Sequence, residues 1–194
     1  MTETPAILDC SPALIGPGRL ILVVGPSGAG KDTLIGLART ACAGDDTIVF
    51  PRRVVTREAS AFEDNEPISR EAFRQARGQS EFAVDWEAHG HCYGLRRGID
   101  DDIRAKRTVV ANISRTVIDA MRSAYAYVVV VSVTAPPDVL AERLAGRARG
   151  SDGQLADRLG RAVDGIVTAP DVIISNVGSA ESHAQELVRI IRGG

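Results

Sequence analysis

Gly25-Pro26-Ser27-Gly28-Ala29-Gly30-Lys31-Asp32-Thr33 is the stretch of this chain best suited to hold phosphate. Its glycines permit backbone conformations that turn successive N–H groups inward onto phosphate oxygens. A helix opening at Lys31 adds the partial positive charge of its N-terminus. The Lys31 ammonium can then reach the β- and γ-phosphates of a nucleoside triphosphate. In the usual pattern the residue after this lysine is Ser or Thr, whose hydroxyl meets Mg2+. Here Asp32 stands in that place and Thr33 follows. A carboxylate is the better ligand for a hard cation, so Asp32 and Thr33 are both expected at the metal. The alternative is that Asp32 holds an arginine.

Arginine supplies the second signal. Of 23 basic residues only Lys31 and Lys106 are lysines, which leaves 21 arginines. Guanidinium pairs bidentately with phosphate. Arg143, Arg147, Arg149, Arg158 and Arg161 crowd one segment with only Glu142, Asp152 and Asp157 to pair with them. A helical hairpin near 143–161 carrying these arginines would neutralise a transferring phosphoryl group and exclude water. Lys31, Arg147 and Arg158 are therefore expected to meet transition-state charge, with Arg143 and Arg149 in support.

Such residues need a scaffold that brings them together. Apolar, β-rich runs alternate with helical patterns: strand Leu20–Val24, helix Lys31–Ala43, strand Ile48–Val55, helix Ser69–Arg77 and short strand Phe82–Trp86 before a Gly/His-rich turn. Helix Ile99–Arg107, strand Thr108–Ala111, helix Thr116–Arg122, the valine-rich strand Val128–Val133 and a helix opening at Pro137 follow. Helix Gln154–Val163, strand Val172–Ser175 and helix Ala180–Ile191 close the pattern. Strands separated by helices imply βαβ units around a mostly parallel sheet flanked by helices, an α/β fold. Ligands of such sheets lie at the carboxyl ends of the strands, where the residues named above fall.

Length and composition narrow the classes. A chain of 194 residues predicts one domain. With 44% apolar and 25% charged residues it is ordinary globular protein. Aromatic residues, at 4%, are too few for a single-strand stacking platform. A net charge of −2 gives no overall hold on nucleic acid. Cys10, Cys42 and Cys92 are odd in number and widely spaced, which fits free thiols in a reducing compartment. The longest apolar stretch, Tyr125–Val133, is nine residues, about half a membrane span. Residues 1–18 lack the pattern of a secretory signal and read as a loose, Pro/Gly-punctuated arm. These features together predict a cytoplasmic protein without a membrane partner; a homodimer is compatible with them.

The loop, the arginine segment and their spacing resemble the guanylate kinase family of P-loop kinases, over residues 19–192. In that family a Thr-Arg and a later Tyr-Gly bind the acceptor phosphate, and here Thr56-Arg57 and Tyr93-Gly94 stand in those places. The guanine-reading elements are replaced: Thr56-Arg57-Glu58-Ala59-Ser60 has no second arginine after it, no Tyr-x-Phe element precedes Ser69, and Asn112-Ile113-Ser114-Arg115 stands where Asp-x-Gln-Gly is expected. Gly30–Leu34, Thr56–Ser60, Trp86–Gly94 and Asn112–Arg115 are instead similar to the ribose 1,5-bisphosphate phosphokinases, enzymes of phosphonate breakdown.

That resemblance implies transfer of the ATP γ-phosphoryl, with Mg2+, to the 1-phosphate of ribose 1,5-bisphosphate, giving 5-phosphoribosyl 1-diphosphate (PRPP) and ADP. An acceptor phosphate is already ionised at neutral pH, so positioning and charge neutralisation suffice. The acceptor site is expected near residues 55–95 and to use Thr56, Arg57, Ser60, His89, Tyr93, Asn112 and Arg115. Trp86 is expected beneath it in the core, and Glu63, Asp64 and Glu66 in a solvated acidic loop. Two rivals remain at this point: a guanylate kinase, and a non-catalytic module of the same fold that binds a phosphopeptide.

Overall fold

The computed structural model describes residues 13–57, 64–88, 90–147 and 169–194. Strand β1 (Arg19–Val24) turns Leu20, Leu22 and Val24 to one face and Ile21 and Val23 to the other, as the two-residue period of a strand requires. All five are at most 1% exposed, so β1 runs through the middle of the core. Its neighbours are β7 (Thr108–Asn112) and β8 (Val128–Thr134), with β2 (Ile48–Val49) and β9 (Val172–Ser175) at the edges. Every pairing in this order, β2-β7-β1-β8-β9, is parallel.

Helices α1 (Lys31–Ala41) and α6 (Ala180–Arg192) bury Leu34, Ala38, Leu187 and Ile191 against one face of the sheet. Helices α3 (Gly98–Arg104) and α4 (Ile118–Ala124) bury Ile99, Ile103, Ile118 and Met121 on the other. The chain passes from β1 to β2 on one side and later adds β8 and β9 on the other, so the strand order reverses around the carboxyl end of β1. That is the place where open parallel sheets hold ligands.

A second sheet, in the order β4 (Asn65–Pro67), β3 (Arg53–Val55), β6 (His91–Arg96), β5 (Phe82–Ala88), stands beside the first. Its β3/β6 and β5/β6 pairs are antiparallel. Helix α2 (Arg70–Gly78) covers one face, with Phe73 stacked on Phe82 at 4.6 Å. Ser69 caps α2, its hydroxyl accepting from the Ala72 N–H at 3.0 Å, which fits the preference of serine for that position. The other face turns Val55, Trp86, Tyr93 and Leu95 into the same core cluster as β1.

Four sequence expectations change. The strand expected over Ile48–Val55 is two strands in two different sheets; Pro51 lies between them and has no N–H for a ladder. The expected Gly/His-rich turn is a hairpin, β5 running to Ala88 and β6 starting at His91. The acidic stretch contributes β4 and ion pairs: Glu66 meets Arg96 at 2.6 Å, and Asp64 meets Arg39 and Arg52. The last part of the expected loose arm is held, since Ile15 bridges Tyr125 and the Gly18 N–H donates to the Ile103 carbonyl at 2.9 Å. The helix expected at Gln154–Val163 lies outside the described residues. Among the described residues no helix is long and apolar enough to cross a membrane.

Candidate active site

The phosphate loop joins the carboxyl end of β1 to the first turn of α1. Its closing residue, Gly30, has φ +89°, and a Cβ there would lie 2.3 Å from the Asn176 amide nitrogen. No side chain fits. Asn176 follows β9 at the carboxyl edge of the sheet, is 3% exposed, and donates to the Ala29 carbonyl at 2.7 Å. Lys31 Nζ donates to the carbonyls of Gly25 and Pro26, both at 2.9 Å. The ammonium is thus folded over the loop at the end of α1, where a bound anion would find it.

A cavity of about 280 Å³ opens on one side of this loop, lined by Gly28, Gly30, Thr33, Arg143, Asn176 and Gly178. Arg143, on helix α5 (Pro137–Arg147), donates through Nη2 to the Asn176 carbonyl at 3.1 Å. Among the described residues, Arg143 Nη1 and Asn176 Oδ1 are buried without a hydrogen-bond partner. Burying such groups unmet costs about 1–3 kcal/mol each, so a ligand carrying both donors and acceptors relieves them. A nucleotide does, and the residues present fit one.

A larger cavity, about 350 Å³, opens on the other side of α1. Asp32 Oδ1 accepts from Asn112 Nδ2 at 2.8 Å and lies 3.4 Å from Arg53 Nη2. Arg53 also donates through Nε to Asn65 Oδ1 at 3.2 Å, and its guanidinium lies over the Tyr93 ring at 6.0 Å. The alternation of β3 explains its direction: Arg53 shares a face with the core residue Val55, while Val54 packs with α2. Tyr93 is buried and stacks on the buried Trp86, ring centroids 5.7 Å apart and planes 8° from parallel. Gly94 follows because a Cβ there would come within 2.8 Å of the Phe82 ring.

The expected residues are distributed as follows. Lys31 and the glycines form the loop. Thr33 lines the smaller cavity and Asp32 the larger, so the two expected metal ligands face different spaces. Asp32 lies beside Arg53, as the alternative of holding an arginine requires. Asn112 lines the larger cavity beside it, Tyr93 supports it from below, and Arg115 is half-buried in the 3-10 turn after β7. Thr56 Oγ1 accepts from the Cys92 N–H at 2.9 Å, which extends the β3–β6 pairing, and Arg57 follows, half-buried. Arg147 ends α5, and its side chain is not described; Ser60, His89, Arg149, Arg158 and Arg161 lie outside the described residues.

Sequence reasoning missed Arg53, Asn65, Arg39 and Asn176. The last had a signal, since it directly follows a strand at the ligand end of a parallel sheet. Arg39 lies two helical turns after Asp32 and so on the same side of α1. No group of three or more His, Cys, Asp or Glu side chains that could hold a metal occurs among the described residues. A Mg2+ bound mainly through nucleotide phosphates needs only one or two protein oxygens, and Thr33 can give one.

A phosphate loop at the carboxyl end of a central parallel strand, with a second sheet roofing an adjacent polar cavity, defines a P-loop kinase of guanylate kinase-like fold. The guanylate kinase of Anaplasma phagocytophilum has that fold, matching with a TM-score of 0.64 at 22% identity over 93% of this chain and 88% of that one. The sequence relatives are more specific, and by them the chain belongs to the ribose 1,5-bisphosphate phosphokinase PhnN family. It is 62% identical to the Rhodopseudomonas palustris protein of that name over 97% of this chain and 96% of the relative. The Bradyrhizobium diazoefficiens protein is 59% identical over 99% and 97%, and that of Methylobacterium radiotolerans 49% over 91% and 98%. No protein-family model matches the chain.

Proposed function

We propose that this chain transfers the γ-phosphoryl group of ATP, with Mg2+, to the 1-phosphate of ribose 1,5-bisphosphate, releasing ADP and forming PRPP. The observation that carries this acceptor is the polar part of the larger cavity's lining: beside Ile35, Gly36, Pro51 and Val110 it carries Asp32, Arg39, Arg53, Asp64, Asn65 and Asn112, and no aromatic ring among the described residues. A purine acceptor calls for a flat apolar face, and the nearby rings of Tyr93 and Trp86 are spent on each other. A sugar bisphosphate offers hydroxyls and two anionic ends, which charged and amide side chains satisfy. The near-full-length relatives carry the name of that activity.

In this reading Lys31 leaves its carbonyl partners for the β- and γ-phosphates, and the loop N–H groups hold them in line. Thr33 provides the protein oxygen for Mg2+, which neutralises phosphate charge when bound. Arg143 adds positive charge from α5; Arg147, Arg149 and Arg158 are assigned the same work from sequence. Arg57, Thr56, Tyr93, Asn112 and Arg115 orient the acceptor, with Ser60 and His89 assigned there from sequence. No base is needed, because the attacking oxygen belongs to an ionised phosphate.

The test is one end-point assay with ATP and Mg2+, offered ribose 1,5-bisphosphate in one tube and GMP in another. PRPP in the first and no GDP in the second is the expected result. GDP in the second tube and no product in the first would keep the fold and overturn the acceptor.

A further inference from the structure

The larger cavity is lined along one side by α1. Its wall runs along α1 from Asp32 through Ile35 and Gly36 to Arg39, seven residue steps and so about 10 Å of helix. One end abuts the phosphate loop, and the other leads away from it. The far end carries positive charge held in place beforehand. Asp64 binds Arg39 at 2.5 Å and Arg52 at 2.8 Å, and Arg52 is fixed further by its bond to the Asn65 carbonyl at 2.6 Å. Arg53 stands between the ends, its side chain 14% exposed, fastened by Asp32 and Asn65 and backed by Tyr93. Three guanidinium groups thus face two carboxylates. Each carboxylate holds an arginine against repulsion by its neighbours.

We propose that this run of the cavity is the subsite for the second phosphate of the acceptor, the one that is not phosphorylated, with Arg53 and Arg39 as its ligands. The proposal rests on the acceptor reading above and deepens it. If the 1-phosphate lies at the loop end, the ribose ring lies along α1 and the 5-phosphate is carried toward Arg39. Asp32 is then a positioning residue, which explains why the chain has a carboxylate where the phosphate-loop pattern has a hydroxyl. Arginine suits the subsite because its planar fork pairs bidentately with phosphate oxygens.

The test compares ribose 1,5-bisphosphate with ribose 1-phosphate as acceptors for the full chain and its R53Q and R39Q variants, with ATP affinity measured alongside. The expected result is a KM for the bisphosphate raised at least tenfold in each variant. The KM for ribose 1-phosphate should stay within twofold and ATP affinity should not change, so the preference for the second phosphate collapses. Equal losses on both acceptors, or no loss on either, would overturn the subsite. R39Q, at a half-exposed position, decides the matter if R53Q does not fold. A wild-type chain inactive on both acceptors would instead overturn the acceptor reading itself.

Discussion

The two cavities that share α1 are made in different ways. The smaller is walled by glycines 28, 30 and 178 and closed by one buried amide, so its shape is a property of the backbone. The larger is walled by side chains brought from α1, β3, β4 and β7, among them Asp32, Arg39, Arg53 and Asp64, which pair with one another. Successive residues divide the labour, Asp32 facing one and Thr33 the other. A phosphate chain is the same in every nucleotide, and a fixed backbone cradle suits it. An acceptor differs from one kinase to the next, and exchangeable side chains can follow it without disturbing the loop.

The comparison can be broken by substitution on either side. Replacing Lys31 with Ala should cut the transfer rate on the order of a thousandfold, the scale seen when a transition-state charge donor is removed. The melting temperature should hold, because the bonds of Lys31 to the Gly25 and Pro26 carbonyls are local to the loop; an unimpaired rate would sink the donor assignment. D32S restores the common hydroxyl and should raise the acceptor KM about tenfold, roughly 1.4 kcal/mol, with the ATP KM unchanged. A shifted Mg2+ requirement with an unmoved acceptor KM would instead return Asp32 to the metal.

N176A should do the reverse, raising the ATP KM several-fold and leaving the acceptor KM alone. It should also destabilise the fold by about 1–3 kcal/mol, because the Ala29 carbonyl loses its buried donor; denaturant melts would read this. The smallest effect is expected from Y125F, far from both cavities. Tyr125 donates to Asp100 at 2.5 Å, and burial first, then that carboxylate, pushes its phenol well above the ordinary value. A raised folded-state value means stability is complete below the unfolded phenol's, about 10, and is lost as pH climbs beyond it. Y125F should cost about 1–2 kcal/mol at neutral pH and flatten the alkaline decline, with both KM values unchanged. A steep alkaline decline persisting in Y125F would assign it to another group.

What the sequence makes legible follows the same division. The donor loop is contiguous, so Gly25 to Thr33 can be read as a string, and the parallel sheet follows from alternating runs such as β1 and β8. The acceptor cavity is assembled across residues 32 to 112, and contacts between Asp32 and Arg53 or Asn112 leave no local pattern. Arg53 sits inside an apolar run that reads as one strand, although Pro51 divides it in two. The second sheet is faint in the sequence because β4 has only three residues, one of them proline, and because β6 carries His and Gly in place of the usual β-formers. Glycine at 94 is a packing demand from Phe82, which no neighbouring residue announces.

The bond from Asn176 to Ala29 joins residues 147 apart in the chain. During synthesis the glycines of the loop leave the ribosome well before the amide that buckles them, which follows β9. A nascent chain ending before residue 176 therefore has the phosphate-binding string without its fastener. The loop is thus fastened only once β9 has joined the sheet, and nucleotide should steady the fold most from that point on.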